Sequence, residues 1–527
     1  MELRSVVFLL LTSVIFGESV FATFSSKLYH RFSEEVRAVH RVFRSGNGSD
    51  LLPENGSMEY YQLLVKSDFE RQNMKLGTKH QLLFPSEGSK MISLGNDFGW
   101  LHYTWIDIGT PSVSFLVALD AGSDLLWVPC DCLQCAPLSA SYYHSLDRDL
   151  HEYKPSGSST SKHVSCSHQL CESGPNCKSP KQQCPYTVNY YTENTSTSGL
   201  LVEDMLHLSS GSSDPLNASV QASVIIGCGM KQSGGYLDGV APDGLMGLGL
   251  GEISVPSFLA KKGLVHNSFS MCYDGNNSGR IYFGDQGPSL QQSTSFLPFD
   301  GKYLTYIVGV EACCIGNSCL KQTSFRALVD SGSSFTYLPN KVYKRITEEF
   351  HSQVKATRSS FEGYPWEYCY KSSVELPKLP SLKLIFQPNN SFLVYNPVFM
   401  VPGTEGPLGF CLAVQPMDGD IGIVGHNFMT GYRMVFDREN MKLGWSRSNC
   451  PDLSEGKRMP LTSPSGTSPN PLPTNEQQSS LGSHAVSPAV AGRAPSKPSA
   501  AATSLTPSLF CLLGLLCCNC CCVHAGR

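Results

Sequence analysis

The chain has 527 residues, of which 41% are hydrophobic, and this is enough apolar content for two domain-sized cores with appendages. Its 44 acidic and 40 basic residues give a formal net charge of −4. With a pI near 6.4, this balance provides no electrostatic basis for binding nucleic acid.

The first residues have the pattern of a secretory signal peptide. Arg4 precedes an apolar run over 6–16, and the small residue Ala22 suits a cleavage site. The run is too short to span a bilayer. We therefore predict a signal peptide over residues 1–22 and an oxidising compartment for the mature chain.

Residues 23–95 contain basic and aromatic side chains, including His30, Arg31 and Tyr60, but little of the alternation expected of strands. If the chain has an acidic catalytic cleft, these positive groups would cover it until the pH falls. The segment is interpreted as a candidate pro-segment of a zymogen. An ordinary N-terminal extension explains the same composition.

From residue 100 the pattern changes to short strands separated by turns. Residues 100–108 are rich in strand-forming types, and an apolar run over 113–119 leads directly into an acidic residue. Few helices are indicated, and 340–354 is the clearest. The pattern predicts a mostly β structure with an N-terminal lobe over 96–290 and a C-terminal lobe over 291–450.

Two acidic loops are the strongest chemical signal. Asp120 begins Asp-Ala-Gly-Ser and Asp330 begins Asp-Ser-Gly-Ser, each at the end of an apolar run. Two apolar residues and a glycine follow each loop in the same order, at 245–247 and 423–425. Two carboxylates held close together cannot both ionise cheaply and therefore share a proton, which is the chemistry of water-driven amide cleavage. The repeat predicts a duplicated domain with one catalytic carboxylate in each lobe.

Glycines in these loops allow backbone amides to approach a carboxylate, and the serine hydroxyls can donate to it. The predicted supporting residues are Gly122, Ser123, Ser331, Gly332 and Ser333.

On these motifs the chain resembles the pepsin-like aspartic endopeptidases over roughly residues 95–450. It is most similar to the plant aspartic-proteinase-like proteins that carry a cysteine-rich insert and a glycolipid anchor. The resemblance implies a bilobal β fold with a cleft between the lobes, where Asp120 and Asp330 share one proton and hold the lytic water. It also implies a peptide or protein substrate, and we expect a monomer. The charge balance predicts no nucleic-acid partner, and no motif in the sequence suggests a metal or nucleotide cofactor.

The resemblance extends to the flap, a hairpin that covers the cleft in this family. Trp127 stands where the family has a tryptophan beneath the flap, and Tyr191 is the expected flap tyrosine, with its hydroxyl directed toward Trp127. Alternatively, Tyr190 or Tyr191 is an ordinary strand residue. Cys369 and Cys411 look like the disulfide of the C-terminal lobe.

Fifteen of the 21 cysteines lie between Cys130 and Cys450, so at least one thiol is free or paired elsewhere. The cysteines of residues 130–184 resemble the insert of the plant subgroup. Because His163 and His168 lie nearby, a zinc site is the alternative. Export favours disulfides.

Two features depart from the family pattern. Ala121 stands where the family usually has Thr, whose hydroxyl bonds across to the other lobe, so Ser331 keeps only one half of this brace. Thr-Glu-Asn at 192–194 replaces the Gly-Asp-Gly typical of the subgroup's flap, and a glycan on Asn194 would crowd the cleft. These departures support an alternative function, that of a catalytically weak homologue that binds peptides at the cell surface.

Residues 451–504 are rich in Ser, Pro, Gly and Ala and predict a flexible stalk. Small residues near Ser499, followed by a spacer and the apolar, Cys-rich tail 505–527, predict a signal for a glycosylphosphatidylinositol (GPI) anchor on the extracellular side of the plasma membrane. Cysteine acylation or metal binding explains the tail differently. A cell-wall structural protein explains the stalk but not the acidic loops.

Six Asn-x-Ser/Thr sequons are compatible with secretion and are candidate glycosylation sites: Asn47, Asn55, Asn194, Asn217, Asn276 and Asn389.

Overall fold

The computed structural model describes residues 81–453 apart from short gaps at 95–97, 99–100, 173–175, 191–194, 211–218, 275–277, 300, 363, 373–376, 395–396, 402, 404–405 and 452. The predicted signal peptide, the candidate pro-segment up to residue 80, the stalk and the Cys-rich tail lie outside the described residues.

The N-terminal half of this region folds into twelve strands: β1 (Leu83–Pro85), β2 (Lys90–Ser93), β3 (His102–Ile108), β4 (Val113–Asp120), β5 (Leu126–Gln134), β6 (Lys162–His163), β7 (Pro185–Asn189), β8 (Ser196–Ser210), β9 (Ser219–Ser233), β10 (Leu245–Gly247), β11 (Ser268–Tyr273) and β12 (Ser278–Phe283). One α-helix, α1 (Val255–Lys261), follows β10, and short 3₁₀ turns lie at Ala140–Tyr142, Pro155–Gly157 and Gly234–Tyr236.

The C-terminal half adds fifteen strands: β13 (Gln292–Phe299), β14 (Lys302–Ile315), β15 (Ser318–Leu320), β16 (Phe325–Val329), β17 (Thr336–Pro339), β18 (Arg358–Ser359), β19 (Cys369–Lys371), β20 (Leu382–Phe386), β21 (Asn390–Val394), β22 (Val398–Val401), β23 (Gly409–Leu412), β24 (Val414–Met417), β25 (Ile421–Val424), β26 (Tyr432–Asp437) and β27 (Lys442–Arg447). Its helices are α2 (Asn340–Gln353) and α3 (His426–Met429). The prediction of a mostly β, bilobal pepsin-like fold is confirmed.

Helix α2 forms where the sequence indicated a helix. Its apolar residues Val342, Ile346 and Phe350 recur every four positions, so they line one face of the helix, and all three are buried. The polar face points to solvent. This burial positions β17, which lies immediately before the helix and pairs with β24 and β25.

The same strand arrangement occurs in both halves. Strand β10 runs parallel to β4, so that Gly247 lies opposite Asp120. In the second half β25 runs parallel to β16, with Val424 opposite Val329, the residue before Asp330. The two apolar-apolar-Gly segments of the sequence are therefore the strands that flank the two acidic loops.

One sheet joins the halves. Strand β11 of the first half pairs antiparallel with β26 of the second, with Phe269 opposite Phe436. These two rings stack with centroids 4.6 Å apart. Backbone hydrogen bonds and aromatic packing thus couple the lobes directly beneath the cleft.

Strands β1 and β2 belong to the N-terminal lobe. Leu83 pairs with both Ser210 and Phe283, and Ile92 pairs with Ser278 and Tyr103. The lobe therefore begins at or before Leu83 rather than at residue 96. The start of the N-terminal lobe was predicted too far along the chain because β1 and β2 have only three and four residues and show little alternation.

Seven disulfides account for fourteen of the fifteen cysteines between Cys130 and Cys450, and the buried thiol of Cys313 is free. The pairs are Cys130–Cys228, Cys132–Cys135, Cys166–Cys177, Cys171–Cys184, Cys272–Cys450, Cys314–Cys319 and Cys369–Cys411. The cysteines of the zinc alternative are thus all in disulfides. Within the described part of the chain, no helix is long and apolar enough to cross a membrane.

Candidate active site

The two acidic loops meet at the junction of the lobes. Asp120 ends β4 and Asp330 follows β16, and both side chains are fully buried. A Cβ placed on Gly332 would lie only 2.3 Å from Oδ1 of Asp120. Glycine at this position therefore lets the C-terminal loop approach the carboxyl group of the other lobe.

Each loop orients its own carboxyl group in the same way. The amide of Gly122 donates to Oδ1 of Asp120 over 2.8 Å, and Ser123 Oγ donates to Oδ2 over 2.5 Å. In the second loop the amide of Gly332 and Ser333 Oγ donate to Asp330 over 2.8 and 2.7 Å. Four of the five predicted supporting residues thus act as donors to the pair.

The two carboxyl groups hydrogen-bond each other. Burial, followed by repulsion from Asp330, raises the pKa of Asp120 well above its usual range. Burial also raises the pKa of Asp330, while the hydrogen bonds from Ser333 and Asp120 act in the opposite direction. A protonated Asp120 that donates to an ionised Asp330 satisfies both groups, so the pair holds one proton and one negative charge.

The fifth supporting residue, Ser331, bridges the lobes. Its hydroxyl accepts from the Ala121 amide and donates to the Leu119 carbonyl, each over 2.9 Å. Ala121 is buried and its methyl group cannot return a hydrogen bond, so the brace is one-sided as the sequence indicated.

Trp127 lies buried beneath the strand that leads into the flap. Its Nε1 donates to the hydroxyl of Tyr190 over 3.0 Å, and both rings pack against Tyr236, with centroids 5.0 and 4.8 Å from it. The tyrosine that reaches Trp127 is therefore Tyr190 and not the expected Tyr191, which lies outside the described residues. An indole has a single N–H, and that of Trp127 is already donated to the hydroxyl of Tyr190.

Strand alternation indicates why Tyr190 has this role. Tyr186 and Val188 pack against the cluster around Trp127, so the next residue on the same face is Tyr190. Its amide bonds the carbonyl of Thr195 over 2.9 Å, which closes the hairpin. No pattern in the sequence pointed to Tyr236, which comes from a 3₁₀ turn distant in the chain.

The remaining predicted sites are the disulfide of the C-terminal lobe, the glycosylation sequons and the anchor site. The Cys369–Cys411 disulfide joins β19 to β23, as the resemblance implied. Of the sequons only Asn389 is described, and it is exposed in the turn between β20 and β21 with φ +72°. The remaining candidates lie outside the described residues: Asn47, Asn55, Asn194, Asn217, Asn276 and the anchor site Ser499.

Comparisons with known proteins agree with this geometry. Residues 102–285 match the family model described as xylanase inhibitor N-terminal, and residues 306–447 match that described as xylanase inhibitor C-terminal. The crystal structure of basic 7S globulin from soybean superposes with a TM-score of 0.54 at 20% identity, covering 71% of this chain and 99% of that one.

Sequence relatives are closer. Aspartic proteinase-like protein 1 of Arabidopsis thaliana is 61% identical, with 92% of each chain covered. Aspartyl protease family protein 1 of the same plant is 41% identical, with 82% of each chain covered. Aspartic proteinase nepenthesin-1 of Nepenthes gracilis is 25% identical over 84% of this chain and 98% of its own length. The chain belongs to the pepsin-like aspartic protease family, in the group with xylanase-inhibitor-type N- and C-terminal domains.

Proposed function

We propose that this protein is an aspartic endopeptidase that hydrolyses peptide bonds at acid pH. The observation that carries the proposal is the buried pair Asp120 and Asp330, whose carboxyl groups each accept two hydrogen bonds from their own loop. The raised pKa values of both groups favour one proton shared by the pair. Such a pair supplies a general base and a general acid at the same place without a metal.

The chemistry follows from that charge state. The ionised carboxylate of Asp330 takes a proton from a water molecule as its oxygen attacks the peptide carbonyl carbon, while the protonated Asp120 donates to the carbonyl oxygen. When the tetrahedral gem-diol intermediate collapses, the C–N bond breaks and the leaving nitrogen gains the proton that Asp330 received. One hydroxyl of the intermediate returns its proton to Asp120 as the carboxylic acid product forms, which restores the starting charge state. Gly122, Ser123, Gly332 and Ser333 hold the two carboxyl groups in orientation throughout.

Peptide cleavage across acid and neutral pH tests this proposal. We expect the purified protein, expressed from its full sequence and freed of any pro-segment, to cleave peptides at acid pH. Asp330→Asn should lower the rate by roughly 10²–10⁴-fold or more, since it removes the general base. Asp147→Asn is the matched control, because Asp147 is exposed. Equal rates for wild type and Asp330→Asn would contradict the proposal.

The second candidate is a catalytically weak protein that binds peptides. Ala121 supports it, since the brace between the lobes lacks one hydroxyl. The matching domain models are described as those of xylanase inhibitors, and the 61% identical relative is named proteinase-like. Peptide binding without turnover by wild-type protein would favour this candidate.

We also propose that the protein acts at the cell surface. The N-terminal signal pattern, the seven disulfides, the Ser/Pro-rich stalk and the small-residue and apolar C-terminal pattern support export and a GPI anchor. Release of the full-length protein from intact cells by a phosphatidylinositol-specific phospholipase would support the anchor, and retention would contradict it.

A further inference from the structure

A cavity of about 380 Å³ opens beside the catalytic loop of the N-terminal lobe. Ser123, whose hydroxyl donates to Asp120, lines it together with Asp124 and Leu125. Its volume lies in the range of small-ligand sites. Because one lining residue bonds the catalytic carboxyl group, the cavity lies next to the site at which a peptide would be cleaved.

The facing wall comes from the cysteine-rich segment. Leu170 and Glu172, which flank Cys171, line the cavity. The Cys171–Cys184 disulfide ties them to the residue before β7, and Cys166–Cys177 closes the same segment. Strand β7 continues into the flap tyrosine. The insert is thus fixed as one wall of the cavity rather than as a separate module.

The walls of the cavity combine an apolar surface with acidic groups. Its apolar lining residues are Leu125, Leu170, Val188, Leu201 and Ile253. Three carboxylates, those of Asp124, Glu172 and Glu252, lie around it, and the described lining residues include no Lys, Arg or His. Such a site is complementary to a side chain with an apolar stem and a cationic head.

Two of the acidic groups, Asp124 and Glu252, have neighbours that bear on their charge. The amide of Gly251 donates to Oδ1 of Asp124 over 2.7 Å, and a Cβ on Gly251 would lie 2.6 Å from Cγ of that carboxylate. Glycine at 251 therefore leaves room for Asp124 at the cavity wall. Lys261 reaches Glu252 at 4.0 Å, but the two side chains are 72% and 76% exposed, so this pair neutralises little of the charge.

We propose that this cavity is a substrate subsite that binds a Lys or Arg side chain of the peptide. The proposal rests on the proposed function, since the subsite belongs to the same cleft. It makes the cysteine-rich insert, through Glu172, a determinant of specificity. Asp124 and Glu252 of the catalytic lobe contribute the rest of the charge.

Binding to the inactive variant Asp330→Asn tests the subsite apart from catalysis. The probes are labelled peptides that differ only by norleucine for Lys, or by citrulline for Arg, at successive positions. We expect the Lys or Arg peptide to bind about three- to tenfold more tightly at one position, with the preference reduced at high salt. In the Asp330→Asn background, adding Glu172→Gln and Glu252→Gln should reduce the preference, since only the charge of Asp124 remains, whereas adding Glu348→Gln, on the exposed face of α2, should preserve it.

The two proposals fail in distinguishable ways. A charge preference in Asp330→Asn without cleavage by wild type would support the subsite and contradict the peptidase. Cleavage by wild type with equal binding of Lys and norleucine peptides would overturn the subsite alone. A preference that the two glutamine substitutions leave undiminished, or no binding of any peptide, would also overturn the subsite.

Discussion

The backbone amide of Ala121 donates to the hydroxyl of Ser331 across the lobes over 2.9 Å, and nothing on the Ala121 side chain returns the bond. Thr at 121 adds a hydroxyl at the position from which the family braces the other lobe. One neutral hydrogen bond contributes about 0.5–1.5 kcal/mol. We therefore expect Ala121→Thr to have a higher thermal midpoint and a higher cleavage rate than a variant with a residue of the same shape that lacks the hydroxyl.

The control for this prediction is Ala121→Val, which has the shape of Thr without its hydroxyl. Because Ala121 is fully buried, Val adds the same volume and any overpacking cost, about 1–3 kcal/mol, without a bond to offset it. Thermal unfolding and peptide cleavage of the two variants separate the effects. Identical behaviour of Thr and Val at 121 would rule out a role for the missing hydroxyl.

Tyr190 should matter more than Tyr191 for the flap. Tyr190→Phe removes the acceptor of the buried Trp127 indole and leaves its N–H unpaired, at a cost of about 1–3 kcal/mol. We expect a lower kcat/KM and a lower thermal midpoint. Tyr191→Phe is the matched control and should change the thermal midpoint little. A larger loss in Tyr191→Phe would restore Tyr191 as the flap tyrosine that bonds Trp127.

The buried ion pair of Arg433 with Asp285 should dominate the stability of the sheet that joins the lobes. Arg433 Nε donates to Asp285 Oδ2 over 2.9 Å, and a second guanidinium nitrogen bonds Oδ1. Asp285→Asn leaves the arginine charge buried without its counter-charge, and we expect a loss of roughly 3–5 kcal/mol. Thermal unfolding of Asp285→Asn beside wild type measures this loss of stability.

An exposed pair provides the comparison. Arg148 and Glu87 lie 3.4 Å apart with both side chains more than 40% exposed, so Glu87→Gln should cost less than about 1 kcal/mol. If Asp285→Asn were no more destabilising than Glu87→Gln, the buried pair would have no special role in joining the lobes.

The catalytic loops were predictable because their signal is local and repeated. Each Asp-x-Gly-Ser carries its own donors, and its flanking strand is marked by apolar residues and a glycine in the same order. The tyrosine that bonds Trp127 was misassigned because neighbouring residues of a strand point to opposite faces, so only one tyrosine of the Tyr-Tyr doublet can face Trp127. Only the alternation from Tyr186 through Val188 selects the first of them.

Contacts between distant segments had no such signal. Asp285 and Arg433 are 148 residues apart, and each is an ordinary charged residue in its own surroundings. Strands β1 and β2 were missed because a strand of three or four residues is held by its neighbours, β8, β12 and β3, rather than by its own pattern. Such contacts between distant segments depend on the tertiary structure, which amino-acid composition and the periodicity of hydrophobic residues do not reveal.

A buried histidine pair at the lobe junction should limit stability in acid. The rings of His102 and His426 lie 4.4 Å apart, and both pack against Tyr273. Neither ring nitrogen of His102 has a partner among the described residues. Burial, then repulsion from His426, lowers the pKa of His102, and burial lowers the pKa of His426 to about 4.

The sign of the pH effect follows from these directions. Between pH 6.5 and about 4 the unfolded chain binds protons on both histidines that the folded protein does not, so stability falls as the pH falls. For His426 alone the loss of folding free energy reaches roughly 2–3 kcal/mol at about pH 4.5 relative to neutral pH.

His426→Gln removes this titration, and we expect its thermal midpoint to fall less between pH 7.5 and 4.5 than that of wild type. His144→Gln, at an exposed position, should behave as wild type. If the thermal midpoint of His426→Gln fell with pH as much as that of wild type, keeping the buried histidine neutral would not be what destabilises the folded protein in acid. An acid-labile junction would instead set the lower pH limit of the folded protein, because protonation of His426 buries a charge beside the loop of Asp330, where the Ser333 carbonyl accepts from the His426 amide.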